Sequence, residues 1–231
     1  FRVLHAIVDS LWVKRPGRDA APEEYEKLAR AVEVSTGLPV SFEGKYRWIA
    51  FLPSAEDPRR GVAQRYVGVF ENGGIKARGI EARRHDTPPF AAALQAELLE
   101  ELARARDVRE AREIAAGLAG KVRSVVSKVR EGRMRPEDLV IWRDMSREPS
   151  EYLRPTLVAV AAQQLVSRGA RLMQGERIGY VLGGEQPYAL EVLPDAEPYD
   201  AGKYEEYALK AAATVLSPFG FPQTLDQGGP V

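Results

Sequence analysis

Arg65–Pro89 reads R-Y-V-G-V-F-E-N-G-G-I-K-A-R-G-I-E-A-R-R-H-D-T-P-P. Tyr66 to Phe70 is a β-prone run, and Asn72-Gly73-Gly74 supplies residues that tolerate positive φ. From Ile75 the pattern alternates again, which predicts a β-hairpin. Arg59, Arg60, Arg65, Lys76, Arg78, Arg83 and Arg84 outnumber Glu71 and Glu81 in and around it. A basic hairpin that ends in Asp86-Thr87-Pro88-Pro89, ahead of a long helical tract, predicts a phosphate-gripping joint between two parts of the protein.

The rest of the chain fits one large or two small domains: 231 residues with 45% hydrophobic content are enough for a core. No run of eighteen apolar residues occurs, so no membrane helix is expected. The chain lacks cysteine, which excludes disulfides and thiolate metal sites and suits a cytoplasmic protein. It opens on Phe1 within a β-prone run, and so reads as a fragment of a longer protein. Formal charge is zero, 33 basic against 33 acidic residues, but the charge is segregated. Lys121, Arg123, Lys128, Arg130, Arg133 and Arg135 stand against Glu131, whereas Glu185–Glu206 is acidic.

Local signals predict an antiparallel sheet with a helix packed on it, then a mainly helical part. Phe1–Val8 and Leu11–Lys14 flank Asp9-Ser10 as a tight hairpin. A helix starts at Ala21-Pro22-Glu23-Glu24, turns Tyr25, Leu28, Ala29 and Val32 inward, and stops before Gly37. Val40–Phe42 and Tyr46–Leu52 read as strands before the basic hairpin. Beyond Pro89, helices are expected over Ala91–Ala103, over Val108–Val129 as one apolar stripe, over Pro155–Ser167 and over Lys203–Leu216. Leu139–Trp142, Arg177–Leu182 and Tyr188–Val192 read as strands. The fold class is therefore α+β, with the character changing near Thr87–Phe90. Trp12, Trp48 and Trp142 read as core anchors, His5 as a core or near-core residue, and His85 as a loop residue.

In this order the motifs resemble those of family B DNA polymerases, from the last catalytic strand pair of the palm through the thumb. The family's Tyr-x-Asp-Thr-Asp-Ser turn is matched by His5-Ala6-Ile7-Val8-Asp9-Ser10. Its Lys-Lys-x-Tyr motif is matched by Ala63-Gln64-Arg65-Tyr66, and its Arg-Gly-(Leu/Ile)-Glu-x-x-Arg-Arg-Asp motif by Arg78–Asp86, which carries His85 between Arg84 and Asp86. Further counterparts are Pro136-Glu137-Asp138-Leu139, the helix from Pro155, the Gly175–Leu182 strand and Tyr199-Asp200…Tyr204.

The resemblance implies a palm-type antiparallel sheet with packed helix over residues 1–87 and a mainly helical thumb over 88–231. It implies primer–template DNA and a dNTP as partners, and the N-terminal polymerase half, possible as a separate subunit. It also implies Mg2+, shared with carboxylates outside this chain, with Asp9 as the metal ligand and catalytic residue. Read from the pattern alone, Asp9 is first a turn residue, and it is the resemblance that turns it into a metal ligand. Arg65, Tyr66, Arg78, Arg83, Arg84, Lys121, Arg123 and Lys128 are the DNA-binding candidates. The cluster from Lys121 to Arg135 also reads as the solvated face of a helix. Ile7, His5, Val8, Ala63 and Gln64 depart from the family pattern, which resembles a divergent archaeal branch regarded as partly inactivated or specialised for damaged templates. Two functions follow: part of a replication or repair polymerase in the nucleoid, or a non-catalytic DNA-binding or scaffolding module.

Overall fold

Residues 1–53, 61–192 and 199–221 are described by the structure, a computed structural model. They form two compact units. Phe1–Gly79 and Ala103–Ala111 make the first; Ile80–Leu102 and the described residues from Arg112 onward make the second.

In the first unit, β1 (Arg2–Ile7) and β2 (Ser10–Lys14) pair antiparallel, with Ile7 opposite Ser10. Val8 and Asp9 make the turn, and Asp9 takes φ 81°, a conformation an Asp side chain tolerates better than most. Helix α1 (Pro22–Thr36) starts on Pro22 with Glu23 and Glu24 in its first turn and ends at Gly37. Tyr25, Leu28, Ala29 and Val32 are half-buried along one stripe, yet no residue of α1 is fully buried.

The expected strand at Val40–Phe42 is irregular. Pro39 precedes it and Gly44 follows it, and Phe42 stacks on Tyr25 of α1, with centroids 5.7 Å apart and planes 6° apart. Its aromatic anchor packs on a helix, so nothing holds the backbone to a sheet edge.

Strands β3 (Tyr46–Pro53), β4 (Gly61–Phe70) and β5 (Ile75–Arg78) form an antiparallel sheet in that order. One face turns Phe51 and Tyr66 toward Trp12 of the β1–β2 hairpin; the Trp12 and Tyr66 rings meet edge-on at 5.1 Å. The other face carries Trp48, Val67, Val69 and Ala77, all buried. There Trp48 Nε1 donates to the Ala105 carbonyl at 3.2 Å, and Arg47 donates to the carbonyls of Phe70 and Ala103. The basic hairpin exists, but its alternation ends at Arg78. Gly79 has φ 67°, and a Cβ there would lie 2.5 Å from Arg65 Cγ and 3.0 Å from the Gln64 carbonyl oxygen. Only glycine meets both demands, so the chain turns out of the sheet here.

In the second unit, α2 (Pro89–Leu102) is followed by α3 (Val108–Gly117), whose first four residues belong to the first unit, and α4 (Ala119–Arg130). The single helical tract expected over Val108–Val129 is therefore broken at Leu118. Gly117 and Gly120 flank the break, and glycine is the poorest helix former after proline. Next come α5 (Pro136–Leu139), β6 (Ile141–Asp144), α6 (Leu157–Ser167), β7 (Arg177–Leu182), β8 (Pro187–Ala189) and α7 (Ala201–Leu216).

Leu139 thus closes a helical turn rather than opening a strand, and the strand expected over Tyr188–Val192 stops at Ala189, where a 3-10 turn begins. Thr156 and Asp200 cap α6 and α7 by accepting from Ala159 N and Lys203 N. Helix α7 packs its Ala208, Ala211, Ala212 and Val215 stripe against α2 and α4; small side chains allow this close approach.

The antiparallel sheet β6-β7-β8 decides which residues of β6 face the core. Ile141 and Arg143 share a face with Tyr180 and Ile178, while Trp142 and Asp144 lie on the other with Gly179 and Arg177. Trp142 is consequently 36% exposed, lying over Gly179, and is not the core anchor that its size suggested. Trp12 and Trp48 are buried, and His5 sits half-buried between the rings of Trp12 and Phe51. Among the described residues no helix is long and apolar enough to cross a membrane.

Candidate nucleic-acid interface

The Arg78–Thr87 segment is built as an anchored turn. Ile80 and Glu81 are buried; Arg83, Arg84 and His85 are exposed on the 3-10 turn Glu81–Arg83 and just after it. The Glu81 carboxylate accepts from Gln95 Nε2 at 2.8 Å and from Thr214 Oγ1 at 3.0 Å. Gln95, fully buried, also donates to the Ala211 carbonyl and accepts from Ala82 N, while Thr87 Oγ1 donates to the Glu81 carbonyl. A buried polar group is tolerated when every partner is supplied, and here α2 and α7 supply them. The turn is therefore fixed from beneath while its arginines face water.

Those arginines differ in their neighbours. Arg83 forms no side-chain hydrogen bond or ion pair among the described residues. Arg84 forks onto Asp86, Nε to Oδ1 at 2.9 Å and Nη2 to Oδ2 at 2.8 Å, and Arg143 from β6 reaches the same carboxylate at 2.7 Å. The Arg84 guanidinium first, and Arg143 with it, hold the Asp86 carboxyl down from 3.8 to about 2. A depressed folded-state value stabilises the fold above the unfolded value and loses that contribution as pH falls. Stability of the second unit is therefore expected to drop between about pH 4.5 and pH 2. Asp86→Asn should remove that part of the slope and cost about 2 kcal/mol at neutral pH. Acid titration of the unfolding free energy checks it; parallel curves for the two proteins would contradict it.

In the first unit Arg65 lies midway along β4 and Arg78 ends the neighbouring β5. Tyr66 pairs with Arg78, so alternation sets Arg65 on the opposite face from Arg78. Arg65 Nε donates to the Gly79 carbonyl at 3.0 Å, and its stem covers Gly79. Arg78 is exposed and forms no ion pair among the described residues. Tyr66 is 1% exposed within the aromatic cluster of Trp12 and Phe51, where it packs the sheet rather than facing solvent. Arg59 and Arg60 lie outside the described residues. Lys76 is paired with Glu43.

Of the α4 candidates, Lys121 and Lys128 are seven residues apart and share a face, while Arg123 does not. Lys121 and Arg123 are about 200° apart around a helix, with the buried Val122–Val126–Val129 stripe between them. Lys121 is engaged by Glu97 at 3.3 Å and Glu101 at 3.8 Å. Arg123 and Lys128 are exposed without ion pairs among the described residues. Arg130, Arg133 and Arg135 are paired with Glu205, Glu131 and Asp138. Of the predicted basic set, Arg78, Arg83, Arg123 and Lys128 thus remain uncompensated, and Arg84 is held in a fork.

Asp9 occupies the exposed tip of the β1–β2 hairpin, where its Oδ1 accepts from Ser10 Oγ at 3.0 Å. Its oxygens are suitable donors for a hard divalent cation, but no group of three or more His, Asp or Glu residues among the described ones could hold a metal. The described residues supply one such ligand and not a complete site. Arg143 is the polar residue near the turn that sequence reasoning missed. Its contact with Asp86 spans 57 positions, and only the register of β6 with β7 brings it to that side.

Residues 63–217 match DNA polymerase family B. DNA polymerase 2 of Aeropyrum pernix is 29% identical, covering 98% of this chain and 26% of that protein. A DNA polymerase of Pyrococcus glycovorans is 31% identical, covering 96% and 28%. The solved family B DNA polymerase from Pyrobaculum calidifontis shares the fold at TM-score 0.63, with 24% identity over 93% of this chain and 26% of that one. The chain thus spans about a quarter of the length of these three proteins.

Proposed function

The chain belongs to DNA polymerase family B, and on that premise we propose that it is the palm-end and thumb region that grips primer–template duplex. The palm end is assigned to residues 1–87 and the thumb to residues 88–231. The observation that carries this reading is the fixed turn after Gly79, which presents Arg83 and Arg84 to solvent from a buried Glu81–Gln95–Thr214 anchor. Arg83, without a side-chain partner among the described residues, and Arg84, whose fork on Asp86 leaves donors over, suit phosphates, which fix a protein on a duplex without reading its sequence. Arg123 and Lys128 offer further exposed cations on α4, and Arg78 offers one on the first unit by itself. Arg65 and Tyr66 hold the hairpin end instead, through Gly79 and the aromatic cluster, and Lys121 is held by Glu97 and Glu101. Titration of a labelled primer–template onto the chain at low salt tests the reading; no measurable binding would contradict it.

Asp9 is assigned one ligand position of a divalent cation, Mg2+ in the first instance, whose other carboxylates and dNTP-binding groups belong to polymerase sequence outside residues 1–231, on the same or a separate chain. Bound there, the cation would lower the barrier to attack by the primer hydroxyl and to pyrophosphate departure. This chain's own part is to hold Asp9 at a hairpin tip and to hold the duplex. A second reading, a non-catalytic DNA-binding or scaffolding module of a replication or repair assembly, is favoured by Ile7 and Val8 beside Asp9 and by Ala63 and Gln64 ahead of Arg65. Primer extension by the full-length protein separates the two.

A further inference from the structure

We propose that Arg143 and Arg84 together form a binding site for a single phosphate group of the DNA backbone, with Asp86 as the residue that positions both. This rests on the duplex-gripping reading and names one of its contacts. The starting observation is stoichiometric: one carboxylate serves two guanidinium groups. Arg84 Nη2 and Arg143 Nη2 both approach Asp86 Oδ2, at 2.8 and 2.7 Å, so the two groups converge on one oxygen. An ordinary surface ion pair is one to one and leaves no charge. This cluster keeps a net positive charge.

The carboxylate is sheltered, its side chain 13% exposed, while the side chains of Arg84 and Arg143 are 61% and 52% exposed. The fork uses two of Arg84's five N–H donors, leaving others free in a plane suited to phosphate oxygens. Both arginines are carried on fixed backbone. Arg84 closes the turn anchored by Glu81 and Thr87, and Arg143 lies in β6 opposite Ile178. Much of the ordering cost of binding is therefore met before a ligand arrives. The one further carboxylate that acts on Arg84 among the described residues is Glu81, which is buried and already held by Gln95 and Thr214. The neighbouring Tyr180 and Tyr207 phenols are pushed up by burial and stay neutral, and Asp144, on the other face of β6, is taken by Arg177.

The test uses the whole chain, with the Arg84 and Arg143 side-chain Nε–Hε signals followed by NMR while a short duplex, and separately inorganic phosphate, is added. Both signals are expected to shift together with each ligand. Arg143→Gln should weaken duplex binding about 5- to 10-fold and flatten the dependence of log K on log salt by about 0.9. Arg143→Lys, which keeps the charge, should restore most of the slope. Wild-type affinity and slope in Arg143→Gln would overturn the proposal, and so would a loss that follows a fall in melting temperature with the slope unchanged. If the wild type binds no duplex yet phosphate moves both signals, the duplex-gripping reading fails and the pair stands as a site for phosphate from another source. If neither ligand moves them, the site itself is wrong.

Discussion

Gln95→Leu is expected to destabilise the second unit by about 3–5 kcal/mol, far more than a volume-conserving core substitution usually does. The glutamine is fully buried and its amide satisfies three groups at once: Ala82 N–H, the Ala211 carbonyl and the Glu81 carboxylate. Leucine fills the same space but leaves all three without that partner. Thr214 still donates to Glu81, so the carboxylate is half-served rather than abandoned. Each stranded group costs about 1–3 kcal/mol. Urea unfolding of both proteins measures the loss. The combined Glu81→Leu and Gln95→Leu variant should lose less than the two single losses added, because the second change no longer strands a charge. A cost below about 1 kcal/mol for Gln95→Leu would show that the amide is not what holds the turn down.

Asp9→Asn should lower primer extension by about 100-fold or more in a full-length protein that extends primers, since loss of one metal-binding carboxylate removes several kcal/mol of transition-state stabilisation. The asparagine is chosen for the backbone. Asp9 stands at φ 81°, which Asn adopts nearly as readily, so the hairpin turn survives while the charge is lost. Asp9→Ala would remove the charge and also strain the turn by about 1 kcal/mol. Melting curves should therefore coincide for Asp9→Asn and wild type and separate for Asp9→Ala. Unchanged extension by Asp9→Asn would remove Asp9 from the metal site and leave it as a turn residue. Extension absent from the wild type as well would favour the non-catalytic reading.

Elements marked by local chemistry were legible in the amino-acid order. Asn72-Gly73 and Gly37 mark a turn and a helix end through the backbone conformations they allow, each where it was expected, and the hairpin expected at Asp9-Ser10 turns one residue earlier, on Val8-Asp9. What local patterns could not sort was the partner across the fold. Val40–Phe42 has strand-like residues, but Phe42 found Tyr25 instead of a neighbouring strand. Trp142 carries a large aromatic side chain yet is 36% exposed, because the β6–β7 register sets it over Gly179 on the face shared with Asp144 and Arg177.

The same limit applies to the site. The basic residues were countable, but their neutralisation was not. Lys121 meets Glu97 and Glu101, and Arg130 meets Glu205, at separations no spacing rule covers. The family's Arg-Gly-Ile-Glu pattern was recognised as a motif. Its physical basis appears only in three dimensions, with Gly79 under the Arg65 stem and Glu81 held by Gln95 and Thr214.

The central claim, a sequence-independent grip on duplex phosphates, is tested most directly by one titration. A primer–template duplex is added to the chain at a series of salt concentrations, and the slope of log K against log salt is read. Four uncompensated cations and the Arg84–Arg143 pair, each counted as one phosphate, predict binding at low salt, a slope of up to about −4.5, and the same affinity for duplexes of unrelated sequence. No binding at low salt, or an affinity that does not change with salt, would contradict it.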